Sequence, residues 1–258
     1  MTNTATDRPR TPGATLAVSS VSRATLLVIA AGAWIGTIVW ARRTGNGPGT
    51  MGLGFLPFIG MWALMMTAMM LPAVTGRAAL GRSDLPGASD GQPRHGARSV
   101  LAFGFGYLLV WAATGLPAFG AATGEGSLAG HHPDIAIAVA AAIFALAGLY
   151  QFTPAKRASL ARCRQSIIPT SVHAGLRRGL VFGGWCLACS WAAMALMIVF
   201  GVMNIAAMVG LAAVVYAERR WSAGGTVRRI VGVASVAGGV LVVLWPSLAA
   251  GIHQMPSM

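Results

Sequence analysis

The chain has 258 residues, 55% of them hydrophobic and only 10% charged, with a mean hydropathy of +0.67. Soluble domains carry about 25% charged residues, so this composition excludes an ordinary water-soluble domain and makes lipid the solvent for much of the surface. The formal net charge of +13 is carried almost wholly by Arg, with Lys156 the only lysine. These charges sit between apolar runs rather than along one face, which fits a positive-inside membrane protein and argues against nucleic acid as a partner.

Residues 1–22 are polar, with Pro9 and Pro12, and read as a disordered cytoplasmic tail. A hydrocarbon core about 30 Å thick needs about 20 apolar residues in a helix. Between 23 and 252 seven stretches meet or approach that length: about 24–41, 55–75, 100–121, 135–152, 180–200, 202–217 and 230–251. Residues 253–258 form a short outer tail. The expected fold is all-α, a polytopic transmembrane helix bundle of about seven helices with its N-terminus inside. The count falls to six if the fifth and sixth stretches are one bent helix through 201–204. With seven, only Arg42 and Arg43 lie on the outer side and every other basic residue lies inside, which favours seven. Asn204 would sit in the tight outer turn, where Asn is at home. The segment 83–98 is rich in Gly, Pro, Ser and Asp and reads as a loop. Thr153-Pro154 is a helix-start signal, and 155–164 reads as a short basic helix on the inner surface.

No charged residue and no His falls within these stretches. Asp7, Asp84, Asp90, Glu125, Asp134 and Glu218 all lie outside them. Proton pumps and hard-cation paths need buried ionisable or oxygen ligands and gain no support. There is no P-loop, dinucleotide fingerprint or nucleophile–base pair, so no enzyme activity is expected.

Sulfur is what the stretches do contain. The second carries Met61, Met65 and Met69 at helical spacing, with Met66 and Met70 in a parallel stripe. Met also fills gaps between helices, but thioether sulfur is a soft ligand suited to Cu(I). Pro72, near the inner end, removes one backbone donor. The fifth stretch carries Cys186 and Cys189 at i, i+3, on one face, and Met194 and Met197 prolong that side. At 1.5 Å per residue, Met69 and Cys186 each lie about 9 Å from the inner boundary, so the two clusters are expected to meet at one depth. His131 and His132, placed in an outer loop, and His253, Met255 and Met258 in the tail are candidates for outer metal capture. Cys163 and His173 are candidates on the inner side.

Met65–Pro72 (MMTAMMLP), Leu149–Arg164 (LYQFTPAKRASLARCR) and Gly183–Asn204 (GGWCLACSWAAMALMIVFGVMN) resemble blocks of a bacterial family of predicted metal-binding integral membrane proteins. It is a domain of unknown function in which some members are labelled copper chaperone. The resemblance covers roughly residues 50–220. It implies motif positions at Met65, Met69, Met70, Pro72, Lys156, Cys163, Cys186, Cys189, Met203 and Asn204. The chain departs from the family pattern where Ser159 and Ser190 stand in place of Cys, which puts an all-Cys site in doubt and leaves either a mixed Cys/Met site or a lost one.

The expected function is membrane-embedded binding and transfer or transport of a soft metal, Cu(I), in the bacterial cytoplasmic membrane. Met65, Met66, Met69, Met70, Cys186 and Cys189 are the expected ligands, and Cys163, Met194, Met203, Asn204, His131 and His132 are accessory candidates. The partners implied are the lipid bilayer and a metallochaperone or membrane complex. The alternatives are a structural or assembly subunit of a membrane complex, or a transporter of an uncharged small solute.

Overall fold

The computed structural model describes residues 13–44, 49–75, 97–163, 171–220 and 224–245. Among these there are nine helices and no strand: α1 (Gly13–Thr44), α2 (Phe55–Thr75), α3 (Ala97–Ala113), α4 (Gly115–His131), α5 (Pro133–Tyr150), α6 (Pro154–Cys163), α7 (Val172–Val199), α8 (Ile205–Arg220) and α9 (Gly224–Leu244). Six helical stretches are long and apolar enough to cross a membrane: Ala24–Thr44, Phe55–Pro72, Leu101–His131, Pro133–Tyr150, Val172–Val199 and Gly224–Leu244. Large side chains such as Val28, Ile35, Leu56, Ile230 and Val233 stand exposed on them. Exposed apolar area of this extent belongs against lipid. The fold is that of a multi-pass membrane protein.

The fifth and sixth stretches are two helices, not one. The chain turns through Gly201, whose φ of +90° suits glycine. Asn204 then caps α8: its Oδ1 accepts from the Ala207 N–H at 3.1 Å, and its Nδ2 donates to the Phe200 carbonyl at 3.2 Å. α8 has 16 residues, fewer than a full crossing needs, and returns antiparallel to α7.

Several boundaries differ from expectation, among them the start of α7 at Val172 rather than near 180. Helix α1 begins at Gly13, inside the segment expected to be a tail, and residues 1–12 lie outside the described part. The third crossing runs on to His131 as α3 and α4, with a break at Thr114 where Pro117 cannot donate to the preceding turn. The run 122–132 is too rich in Gly and polar residues to read as a span, yet Ala118 and Ala122 bury fully enough to hold it helical. Glu125 therefore lies within a crossing, half-buried on α4, and only His132 separates α4 from α5. Helix α9 begins at Gly224 rather than near 230. Residues 246–258 are outside the described part, as are His253, Met255 and Met258, together with 83–96 of the expected loop.

The tightest seam joins α3 and α7, which run parallel and in register. Gly175 meets the Ser99 carbonyl, Gly179 the Phe103 carbonyl, and Gly183 the Tyr107 carbonyl and Val110 side chain. A Cβ at Gly175 or Gly179 would overlap a backbone oxygen, so the repeat of glycine at every fourth residue lets the two backbones touch. Helices α5 and α9 pack antiparallel by the same device, Gly148 against Gly232 and Gly239 against Ala141. Helix α6 starts as expected, with Thr153 Oγ1 accepting from the Lys156 N–H at 3.2 Å. It is more than a surface helix, because Lys156, Ser159, Leu160 and Cys163 are buried.

Candidate metal centre

Helix α7 sets the frame. Gly183 fixes it against α3, and one turn further Cys186 and Cys189 project from the same face into the core. Cys189 Sγ lies 3.1 Å from the Cys186 carbonyl oxygen, and Ser190 Oγ donates to the same carbonyl at 2.7 Å. Helix α6 brings up the third thiol: Cys163 Sγ stands 3.5 Å from Cys189 Sγ. All three cysteines are free and buried. The hydrogen bond to Cys189, together with burial, pushes the Cys163 thiol well above the ordinary cysteine range.

The methionines of α2 belong to the same core. Met65, Met66, Met69 and Met70 are all at most 3% exposed and join one contiguous cluster with Cys163, Cys186 and Cys189. Met61, Met194, Met197, Met203 and Met208 belong to it as well. Tyr107 links the two sulfur groups, its hydroxyl 2.9 Å from Cys186 Sγ and 3.3 Å from the Met70 carbonyl oxygen. The C-terminal part of α2 and the middle of α7 thus meet at the Tyr107 hydroxyl.

Charge is also present here, buried although Lys156, Glu218 and Arg219 all lie outside the expected spans. Arg219, at the end of α8, donates through one NH2 group to Cys186 Sγ at 2.7 Å and to Cys189 Sγ at 3.3 Å. Lys156 Nζ donates to Glu218 Oε2 at 2.7 Å and to the Cys189 carbonyl at 2.5 Å. Lys156, Glu218 and Arg219 are 2%, 2% and 6% exposed, so this is an ionic cluster enclosed by α6, α7 and α8. Sequence reasoning drew Lys156 from the family resemblance alone and missed Glu218 and Arg219. The signal available was that α8 is too short to reach the surface before Glu218-Arg219-Arg220.

The remaining candidates are placed elsewhere. Asn204 is occupied as the cap of α8, and His173 is exposed at the start of α7. His131 and His132 are exposed, with His131 Nδ1 2.9 Å from the Ser127 carbonyl. Tyr150 Oη donates to the Ala188 carbonyl, which sets the level of α5 against the thiols. His132, eighteen residues up α5 from Tyr150, is about 27 Å away along the axis. Ser159 and Ser190 donate to carbonyls one turn back on their own helices. Among the described residues no group of three or more His, Cys, Asp or Glu converges to hold an ion. The donors that do gather are soft sulfurs, with no clustered carboxylates.

A family model described as "Copper chaperone" (PpoB2) matches residues 59–242, from within α2 to the end of α9. The chain belongs to this copper chaperone family. The match spans every helix that contributes to the sulfur cluster. No curated protein and no solved structure matches the chain. The family label suggests copper handling, and thiol and thioether groups are side chains that suit a soft ion.

Proposed function

We propose that this protein binds Cu(I) as cargo within the membrane and passes it on, using Cys186 and Cys189 as thiolate ligands and the Met65, Met66, Met69 and Met70 thioethers as auxiliary ligands. The observation that carries this reading is the burial of thiols from α6 and α7 and thioethers from α2 in one core, bridged by Tyr107. Cu(I) accepts low coordination with sulfur, so a cysteine pair with a neighbouring methionine suffices where a tetrahedral zinc site would want four ligands. Cys163, beside Cys189, is suited to take the ion over as it leaves towards the basic end, and Met194 and Met203 line the core beyond. Copper stays Cu(I) throughout, and no turnover chemistry is involved. The concentration of Arg at that end supports a cytoplasmic orientation for it in a bacterial inner membrane.

The test is Cu(I) binding by the purified protein in detergent without oxygen, read by competition with a chromophoric chelator. We expect one tightly held ion in the wild type and its loss in Cys186→Ser/Cys189→Ser. An affinity no tighter than that of a methionine-rich control peptide would overturn the proposal.

A further inference from the structure

Arg219 is a buried cation with an unusual set of partners. One NH2 group touches both Cys186 Sγ and Cys189 Sγ, and its Nε and other terminal nitrogen have no hydrogen-bond partner among the described residues. Glu218, the neighbouring carboxylate, is engaged with Lys156, so that pair is neutral by itself. The guanidinium is therefore a fixed positive charge committed to the two sulfurs. A buried charge is costly unless compensated, and an Arg cannot shed its charge by losing a proton.

Resting on the proposed function, we propose that Arg219 makes the site selective for soft monovalent cations, Cu(I) and Ag(I), over divalent ones. The argument is one of charge. Two thiolates and a monovalent ion carry a net charge of −1, which Arg219 cancels. Two thiolates and Zn(II) or Cd(II) carry none, which leaves the guanidinium uncompensated in a low-dielectric interior where such an imbalance weighs heavily. A third thiolate would restore neutrality for a divalent ion; Cys163 is the one further thiol in the core, 3.5 Å from Cys189, but no three such ligands among the described residues are placed to hold an ion together. Two metal–thiolate bonds form, the thiol protons are released to water as the ion binds, and nothing is oxidised or reduced.

The test compares Ag(I), Cu(I), Zn(II) and Cd(II) affinities of the intact protein in detergent, by chelator competition and by the ultraviolet absorption of metal–thiolate bonds. Arg219→Gln removes the charge while keeping polar contacts. It is expected to lower the monovalent-to-divalent affinity ratio by at least tenfold, whereas Arg219→Lys keeps the ratio within a few fold. Glu218→Gln removes a negative charge one residue away, leaving the Lys156 charge uncompensated, and is expected to move the ratio in the opposite direction. A residue that only supports the fold would weaken all ions together in both Gln variants. An unchanged ratio in Arg219→Gln, or parallel loss in both Gln variants, would overturn the inference alone. If Arg219→Gln does not fold, the direction seen in Glu218→Gln decides. A wild type without Cu(I) or Ag(I) affinity overturns the proposed function as well, so the two failures are distinct.

Discussion

The hydroxyl of Tyr107 stands between Cys186 Sγ, at 2.9 Å, and the Met70 carbonyl, at 3.3 Å. It is fully buried and ties the thiol helix to the thioether helix at the point where Pro72 interrupts regular helix bonding. Tyr107→Phe keeps the ring and removes the tie. Losing a buried hydrogen bond of this kind costs about 1 kcal/mol. We expect a small fall in thermal stability and a several-fold weaker hold on Cu(I), read by melting in detergent and by chelator competition.

The α3–α7 seam separates two adjacent glycines by consequence. Gly183 faces Val110 and the Tyr107 carbonyl, while a Cβ at Gly184 meets nothing. Gly179→Ala, which would strike the Phe103 carbonyl, is expected to destabilise by about 1–3 kcal/mol, the cost of overpacking. Gly184→Ala is expected to be neutral or slightly stabilising, because it improves helix propensity. Paired melting curves of the two variants check both.

Lys156 and Glu218 test how an enclosed ion pair behaves. Removing one partner leaves the other charge buried, a loss of about 3–5 kcal/mol, whereas replacing both with apolar groups of similar volume is far milder. Lys156→Met is expected to unfold at clearly lower temperature than the wild type. Lys156→Met/Glu218→Leu should recover most of the difference. A double variant no better than the single would mean that the loss arises elsewhere.

Cys163 and Cys189 are close enough for a small movement to join them, since their sulfurs are 3.5 Å apart. Mild thiol oxidation is expected to form that disulfide and to abolish Cu(I) binding, with bound Ag(I) protecting both thiols. Mass mapping of the peptides reads the pairing. His131→Ala/His132→Ala is expected to leave copper stoichiometry unchanged, because those rings lie far from the thiols.

Most of the fold was legible because its logic is one-dimensional. An apolar run long enough to cross lipid has to be helical, and the spacing of Met65 and Met69 gave both a face and a depth. Cys186 and Met70 meet at the Tyr107 hydroxyl. Arg219 was illegible for the opposite reason. A Glu-Arg-Arg run after an apolar stretch looks like the start of a loop in water. It is buried because α8 packs against α2 and α7, and Lys156 of α6 reaches Glu218 across 62 positions of chain. The extension of α4 to His131 was hidden likewise, since small residues of low hydropathy stay helical only where neighbours cover them.

The glycine seam has a mechanical consequence. With Gly175, Gly179 and Gly183 each set against a backbone oxygen of α3, α7 can neither roll nor slide without colliding. Cys186 and Cys189 therefore ride on a strut braced against α3, and on the proposed function the handover of an ion would fall to the parts around it: α6, which holds Cys163, and the tip of α8, which holds Arg219.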